Sequence, residues 1–213
     1  MAYNVKEIYY TLQGEGLNAG RTAVFLRFTG CNLWTGREED RSKGLGGCSL
    51  WCDTNFRGTD GPLGGVYETP LELAKRVDSL WPQGGENRLV VCTGGEPLLQ
   101  LDAPLTKALQ DLGFEVAIES NGTLPVPEGV DWVCISPKAG TPLVVDRGDE
   151  LKLVYPQAGL PPEGFEHLGF QSFLLQPLDG PESSENTLAA LRYCLAHPRW
   201  RLSLQTHKTL QIP

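Results

Sequence analysis

No stretch of this sequence approaches the roughly 18 consecutive apolar residues needed to span a bilayer. Its first residues, Met-Ala-Tyr-Asn-Val-Lys-Glu, also lack the basic-then-apolar order of an export signal. A cytoplasmic chain with no membrane partner is therefore expected. Positive charge is scarce as well, with 18 Lys+Arg against 26 Asp+Glu and a formal net charge of −8. Affinity for nucleic acid depends on clustered Lys and Arg, so no nucleic-acid partner is expected and a small-molecule substrate fits better. Repeats and low-complexity tracts are missing. Six cysteines in 213 residues do not have the spacing of a small disulfide-built scaffold. A chain of this length with 40% hydrophobic residues can bury a core of its own, so residues 1–213 are expected to form one domain.

What the chain does have is three cysteines, Cys31, Cys48 and Cys52, in one polar, glycine-rich run, with Trp51 just before the last. Three thiolates are one short of the four that close a structural zinc or iron–sulfur site, so a metal held there keeps one position open for another ligand. The alternative is a zinc-stabilised loop whose fourth ligand is a distant histidine. Cys92 and Cys134 lie in apolar runs and Cys194 on a helical pattern, so all three read as small buried hydrophobes.

Runs rich in Val, Ile, Phe and Leu predict strands at Thr22–Phe28, Arg88–Cys92, Phe114–Ile118, Trp132–Ile135, Leu151–Tyr155, Gln171–Leu175 and Arg201–Leu204. Helical spacing predicts a helix at Pro70–Trp81 and another that begins at the N-cap Asp102 and ends at Gly113. A third is expected at Asn186–His197, with Leu188, Leu191 and Leu195 on its apolar face and Pro198 as its stop. Strands alternating with helices imply a mainly parallel sheet, open or curled into a partial barrel.

Each of six strand candidates is followed by a polar motif. These are Thr-Gly-Cys (29–31), Thr-Gly-Gly-Glu-Pro (93–97), Glu-Ser-Asn-Gly (119–122), Ser-Pro-Lys (136–138), Gln-Pro-Leu-Asp-Gly (176–180) and Gln-Thr-His-Lys (205–208). In parallel α/β folds the C-terminal strand ends share one edge and ligands bind there, so the six segments are expected to converge on one pocket with the cysteines. Any one of them is also ordinary turn chemistry.

Clustered cysteines after the first strand, an aromatic before the last of them, and Gly-Gly-Glu-Pro after the second strand resemble the radical S-adenosylmethionine superfamily. Leu-Gln-Gly-Glu-Gly (12–16), Arg27, Cys-Asp-Thr (52–54), Ser-Pro-Lys and a terminal Leu-Gln-Thr-His-Lys ending in proline resemble, within it, the 7-carboxy-7-deazaguanine synthase family of the queuosine pathway. The superfamily's usual spacing is C-x3-C-x2-C. Here residues 32–47 and 49–51 make gaps of sixteen and three. Loop-closure entropy grows slowly with length, so a long first gap is tolerable.

The resemblance implies a partial TIM-like α/β barrel with mainly parallel strands. It implies a 4Fe-4S cluster on Cys31, Cys48 and Cys52, with S-adenosylmethionine on the fourth iron, and an adenosyl radical that abstracts hydrogen from 6-carboxy-5,6,7,8-tetrahydropterin. Ring contraction and loss of ammonia would follow, with no catalytic side chain assigned. Gly94, Gly95 and Glu96 would meet the methionyl ammonium. The rest of S-adenosylmethionine would contact Trp51, Asp53, Ser120, Ser136, Pro137, Lys138, Gln176, Pro177, Leu178 and Asp179. Leu12, Gln13, Gly14, Glu15, Arg27, Thr93, His207 and the terminal carboxylate of Pro213 would bind substrate, with the last strand carrying His207 to the pocket mouth. Thr54 would hold magnesium. A flavodoxin or ferredoxin would supply electrons to a homodimer.

Arg27 shares strand parity with Ala23 and Phe25, so it is expected to point into the barrel, either to a substrate carboxylate or to a structural salt bridge. A radical activase of a partner protein would share the cysteines and Gly-Gly-Glu without needing Gln-Gly-Glu-Gly or Arg27. A non-catalytic metal-stabilised binding protein would need only the cysteines.

Overall fold

The alternation in Thr22–Phe28 gives a strand with two covered faces. Val24, Leu26 and Phe28 pack on one side with the helices, and Ala23 and Phe25 lie on the other. The computed structural model describes residues 2–213. Its strands are β1 (Tyr3–Leu12), β2 (Thr22–Phe28), β3 (Gly65–Tyr67), β4 (Leu89–Gly94), β5 (Glu115–Ser120), β6 (Trp132–Ile135), β7 (Arg147–Tyr155), β8 (Gly169–Pro177) and β9 (Trp200–Leu202). Its helices are α1 (Pro70–Asp78), α2 (Ala103–Asp111), α3 (Ser183–Ala196) and α4 (Thr206–Leu210). No helix among the described residues is long and apolar enough to cross a membrane.

All nine strands join one sheet in the order β3-β1-β2-β4-β5-β6-β7-β8-β9. Only the β1–β2 and β1–β3 pairs are antiparallel; from β2 to β9 every pairing is parallel. The sheet stays open between β3 and β9, which is the partial barrel expected. One core lies between β1, β2, β4, β5 and helices α1 and α2, and a second between β7, β8, β9 and α3. The inner face is graded. Its apolar floor is Ala23, Phe25, Leu89, Val91 and Ala117, while one alternation further along the same strands come Arg27, Thr93 and Glu119.

Three expectations need correction. Strand and helix do not alternate throughout, because β5–β6 and β6–β7 are joined without a helix among the described residues. Asp131 holds the first of these connections to the sheet by accepting from the Val116 amide at 2.8 Å. Helix α3 turns the other way from its leucine pattern. Asn186 and Ala190 are buried, whereas Leu188, Leu191 and Leu195 are exposed. The cause is polar: Asn186 donates to the Leu178 carbonyl at 2.9 Å, and Tyr193 packs against Tyr155 and Trp200, which together fix the inward face. Finally, no strand carries His207; β9 ends at Leu202 and His207 rides on α4.

Asp102 is the N-cap expected, accepting from the Leu105 amide at 3.0 Å and also from the Tyr3 hydroxyl at 2.8 Å. It thereby ties α2 to β1. Asp102→Ala removes a cap and orphans a buried hydroxyl, so a loss of about 1 to 2 kcal/mol is expected in urea unfolding. A loss of only about a few tenths of a kcal/mol would mean water replaces both bonds.

Candidate functional site

A cavity of about 720 Å³ opens at the C-terminal ends of the parallel strands, within the size range of small-molecule sites. Every residue singled out in the sequence lines it except Glu96 and Pro137, which are buried beside it. All six polar motifs therefore converge on one pocket.

At one side lie the cysteines. Gly95 makes this possible, because a Cβ there would sit 2.3 Å from the Gly30 carbonyl and 2.8 Å from Cys31 Cβ. The Glu96 amide donates to Gly30 at 3.0 Å across the same contact. The long first gap is folded onto Arg41, whose guanidinium donates to the carbonyls of Ser49 at 2.8 Å and Cys52 at 3.1 Å and lies 4.8 Å over the Trp34 ring. Cys48 sits in a 3-10 turn, Gly47–Leu50, and the Cys52 amide donates to its carbonyl at 2.8 Å. The three-residue gap is thus closed into a single turn by that hydrogen bond.

Burial pushes the Cys31 thiol up, and it pushes Cys48 to about 11 despite nearby Lys138, with Cys31 and Cys52 adding to the rise at Cys48. Free thiolates are thus disfavoured at Cys31 and Cys48, and a cationic iron–sulfur core is what would stabilise thiolates there. Three thiols on one side of the cavity are the donor chemistry such a group takes, although among the described residues no three ligating side chains are gathered closely enough to hold a metal ion.

Beside the cysteines, Glu96 does not reach the cavity. Its carboxylate is fully buried and accepts from Ser120 Oγ and the Asn121 amide at 2.8 Å each, and from the Leu98 amide at 3.0 Å. Burial raises its pKa against those three bonds. In this arrangement Glu96 braces the loop after β5, and Gly94 and Gly95 are the members of the motif on the surface. Lys138 Nζ donates to Ser136 at its carbonyl (2.7 Å) and Oγ (2.5 Å). Lys208 bridges Asp53 at 2.8 Å and Asp179 at 2.6 Å.

The opposite side is the barrel interior. Arg27 points inward as its parity predicts, and the salt bridge is present: Nε donates to Glu7 Oε1 at 2.8 Å and Nη2 to the Tyr9 hydroxyl at 3.1 Å. Lys152, which sequence reasoning missed, forms a network here with Glu119 and Gln205, both members of the predicted rim motifs. Lys152 Nζ donates to Glu15 and, at 3.4 Å, to Glu119, while Gln205 and Gln13 donate to the same two carboxylates at 2.9 and 3.1 Å. The available signal was Leu-Lys-Leu-Val, where a lysine takes the inward parity of an otherwise apolar strand.

The C-terminal segment covers this side. Thr206 donates to the Gly14 carbonyl through its amide and hydroxyl, both at 3.0 Å, and a Cβ on Gly14 would meet His207 Nδ1 at 2.3 Å. Pro213 is not frayed. Its carbonyl oxygen accepts from Thr11 Oγ1 at 3.0 Å.

Gly95→Ala should push the Cys31 loop away from β4, so iron bound after anaerobic reconstitution should fall to less than half. Gly164→Ala, whose Cβ meets only one atom at 4.0 Å, should keep the parent value. Equal iron in the two variants would show that the close approach is dispensable.

No family model matches the chain. Curated proteins do. The 7-carboxy-7-deazaguanine synthases of Bradyrhizobium diazoefficiens and Bordetella pertussis are each 58% identical to it over the whole of both chains. That of Rhodospirillum rubrum is 36% identical, covering 98% of this chain and 92% of its own. Among solved structures, QueE from Escherichia coli superposes with a TM-score of 0.67 at 27% identity, covering 96% of this chain and 94% of that one. On identity sustained from one end to the other, the chain belongs to the 7-carboxy-7-deazaguanine synthase family.

Proposed function

We propose that this chain is a cytoplasmic radical S-adenosylmethionine enzyme of queuosine and 7-deazapurine biosynthesis. It converts 6-carboxy-5,6,7,8-tetrahydropterin to 7-carboxy-7-deazaguanine with loss of ammonia. The observation that carries this reading is one cavity with three cysteines on one side and a set of carboxylates, a guanidinium and an imidazole on the other. When bound, the cluster would supply the electron for reductive cleavage of S-adenosylmethionine, and with it the radical chemistry of the reaction.

The chain's own residues divide by side. Cys31, Cys48 and Cys52 anchor the cluster. Gly94, Gly95 and Ser136 offer backbone and hydroxyl groups to S-adenosylmethionine, with Lys138, Gln176 and Asp179 around them and Glu96 acting through Ser120. Arg27 binds the pterin carboxylate while Glu7 and Tyr9 hold it in place, and Glu15, Gln13, Thr93 and His207 take the ring. Thr54 lines the same cavity and offers its hydroxyl to magnesium, which prefers oxygen ligands. Helix α4 and Pro213 exclude water from a site whose radical would otherwise be quenched. A flavodoxin or ferredoxin delivers the electron from outside.

The enzyme also pairs with a second copy through α3. Leu188, Leu191 and Leu195 form an exposed stripe at coiled-coil spacing, flanked by exposed Glu185 and Arg192 two turns apart. In an antiparallel two-fold pairing, Glu185 of each copy meets Arg192 of the other, so the face is complementary to itself. Leu191→Glu should sediment as a monomer, and an unchanged sedimentation coefficient would remove α3 from the interface.

The reaction itself is tested by anaerobic reconstitution with iron and sulfide, followed by S-adenosylmethionine, reductant and the pterin. A product lighter than the substrate by one ammonia is expected; cleavage of S-adenosylmethionine without it would overturn the substrate. Cys48→Ala should lose the cluster absorbance and S-adenosylmethionine cleavage together. Full cluster content in that variant would reject Cys48 as the middle ligand.

A further inference from the structure

Inside the barrel, Lys152 is 5% exposed and belongs to no ligand set assigned so far. Its Nζ donates to Glu15 Oε2 and to Glu119 Oε1 at 3.4 Å. The remaining bonds of that pair are specific. Glu15 Oε1 accepts from Gln205 at 2.9 Å, and Gln13 reaches Glu119 through the same Oε1 that Lys152 uses. Glu119 Oε2 is therefore left without a protein donor among the described residues, on a side chain that lines the cavity.

We propose that Lys152 is a positioning residue, whose ammonium fixes Glu15 and Glu119 side by side as paired acceptors for the N–H edge of an amino-substituted heterocycle. The proposal rests on the function above only for that ligand class. Two carboxylates against one ammonium leave a net negative charge, which suits a ligand presenting several N–H donors and no acceptor on that edge.

Other charged groups face the ammonium and the pair, and none can take its place. Glu150, on β7 itself, is occupied by the Leu17 amide at 3.1 Å and the Trp132 indole at 2.7 Å, and burial raises its pKa. Cys134 on β6 is a fully buried thiol pushed well up by burial. Arg27 on β2 is held by Glu7 and by Tyr9 of β1. Lys138, after β6, donates to Ser136, and His207 on α4 acts on Glu15 from the far side. Burial alone would push Glu15 up. The nearby Lys152 overrides it, with Gln205 and His207 assisting, and holds it at about 2.

A purely structural role would be served as well by apolar residues in place of the whole network, because replacing a complete buried ionic set by packed hydrophobes is often neutral for stability, whereas removing one member of it is not. The inward position of Lys152 is thus better explained by what it does to the carboxylates. Without the ammonium, burial would push Glu15 up toward its protonated form, turning an acceptor into a donor that opposes a ligand N–H. Raising the pH would then restore the acceptor, so affinity in such a variant should rise with pH, whereas the parent should be flat over the same range.

The test uses the cluster-loaded protein with S-adenosylmethionine bound, titrated with fluorescent 6-carboxypterin. Lys152→Met should keep the cluster absorbance but bind the pterin at least about tenfold more weakly near neutral pH, recovering as pH rises. Lys152→Arg should restore most of the affinity and the flat profile. Parent-like, pH-independent binding by Lys152→Met would overturn the proposal. A second measurement stands apart from any ligand and from the folding of that variant. In infrared difference spectra of 13C-glutamate-labelled parent minus Glu15→Gln, the Glu15 carboxylate should remain ionised well below the usual carboxylate range. Titration at or above that range would also overturn it. A parent that binds no pterin yet keeps this carboxylate ionised would refute the substrate assignment and leave the role of Lys152 in place.

Discussion

Charges shut inside an open parallel barrel must find partners, and that constraint organises the active end of this molecule. The floor of the barrel is apolar, so polar groups appear only where the inward-facing positions reach the C-terminal rim. The charged ones are paired across strands. Arg27 of β2 bonds Glu7 and Tyr9 of β1, and Lys152 of β7 bonds Glu119 of β5 and Glu15 of the loop after β1. In a dry interior such pairs are held in a single arrangement, because any unpaired member would be costly. A site built from them is preorganised before ligand arrives.

The rim was legible in the sequence because its signals are local. A glycine-rich or polar tripeptide at the end of a strand candidate needs only correct strand recognition to be placed, and parallel topology then does the rest. The strand Thr22–Phe28 has the limits its composition predicts, and so does Trp132–Ile135. The parity argument for Arg27 succeeded for the same reason. What escaped was either long-range or atypical. Strand β1 alternates, yet Lys6, Glu7 and two tyrosines mask it, and Lys6 is buried through its ion pair with Asp60 at 2.5 Å. Lys152 carries no local signal of its role, because its carboxylate partners lie 137 and 33 residues away. The orientation of α3 was misread because the Asn186 tie to Leu178 outranked the leucine pattern. Packing on the sheet selected small and aromatic residues over the larger aliphatic stripe.

The spacing of the cysteines illustrates a different limit. Gaps of sixteen and three residues depart from the superfamily pattern, and neither number reveals its own geometry. The structure supplies the reason each is acceptable. The long gap is not a free loop, since Arg41 within it donates to the carbonyls of Ser49 and Cys52 beyond it, Leu45 donates to Leu33 at 2.7 Å and Gly47 donates to Ala139 at 2.9 Å. The short gap is a single turn closed by the Cys52 amide on the Cys48 carbonyl. Hydrogen bonds, rather than sequence distance, set where the sulfurs lie.

The C-terminal segment joins these two halves. Lys208 reaches Asp53, next to the last cysteine, and Asp179, after β8. Its neighbour His207 packs on Gly14, and Gln205 bonds Glu15 inside the barrel. One short helix therefore contacts the cysteine loop, the rim and the buried carboxylates at once. Surface ion pairs are weak singly, but Lys208 bridges two carboxylates while Thr206 and Pro213 fix the same segment to β1 and the loop after it. A ligand arriving between the two sides must meet groups whose positions already depend on one another. The chain thus couples the cluster side of the cavity to its substrate side through residues that touch both.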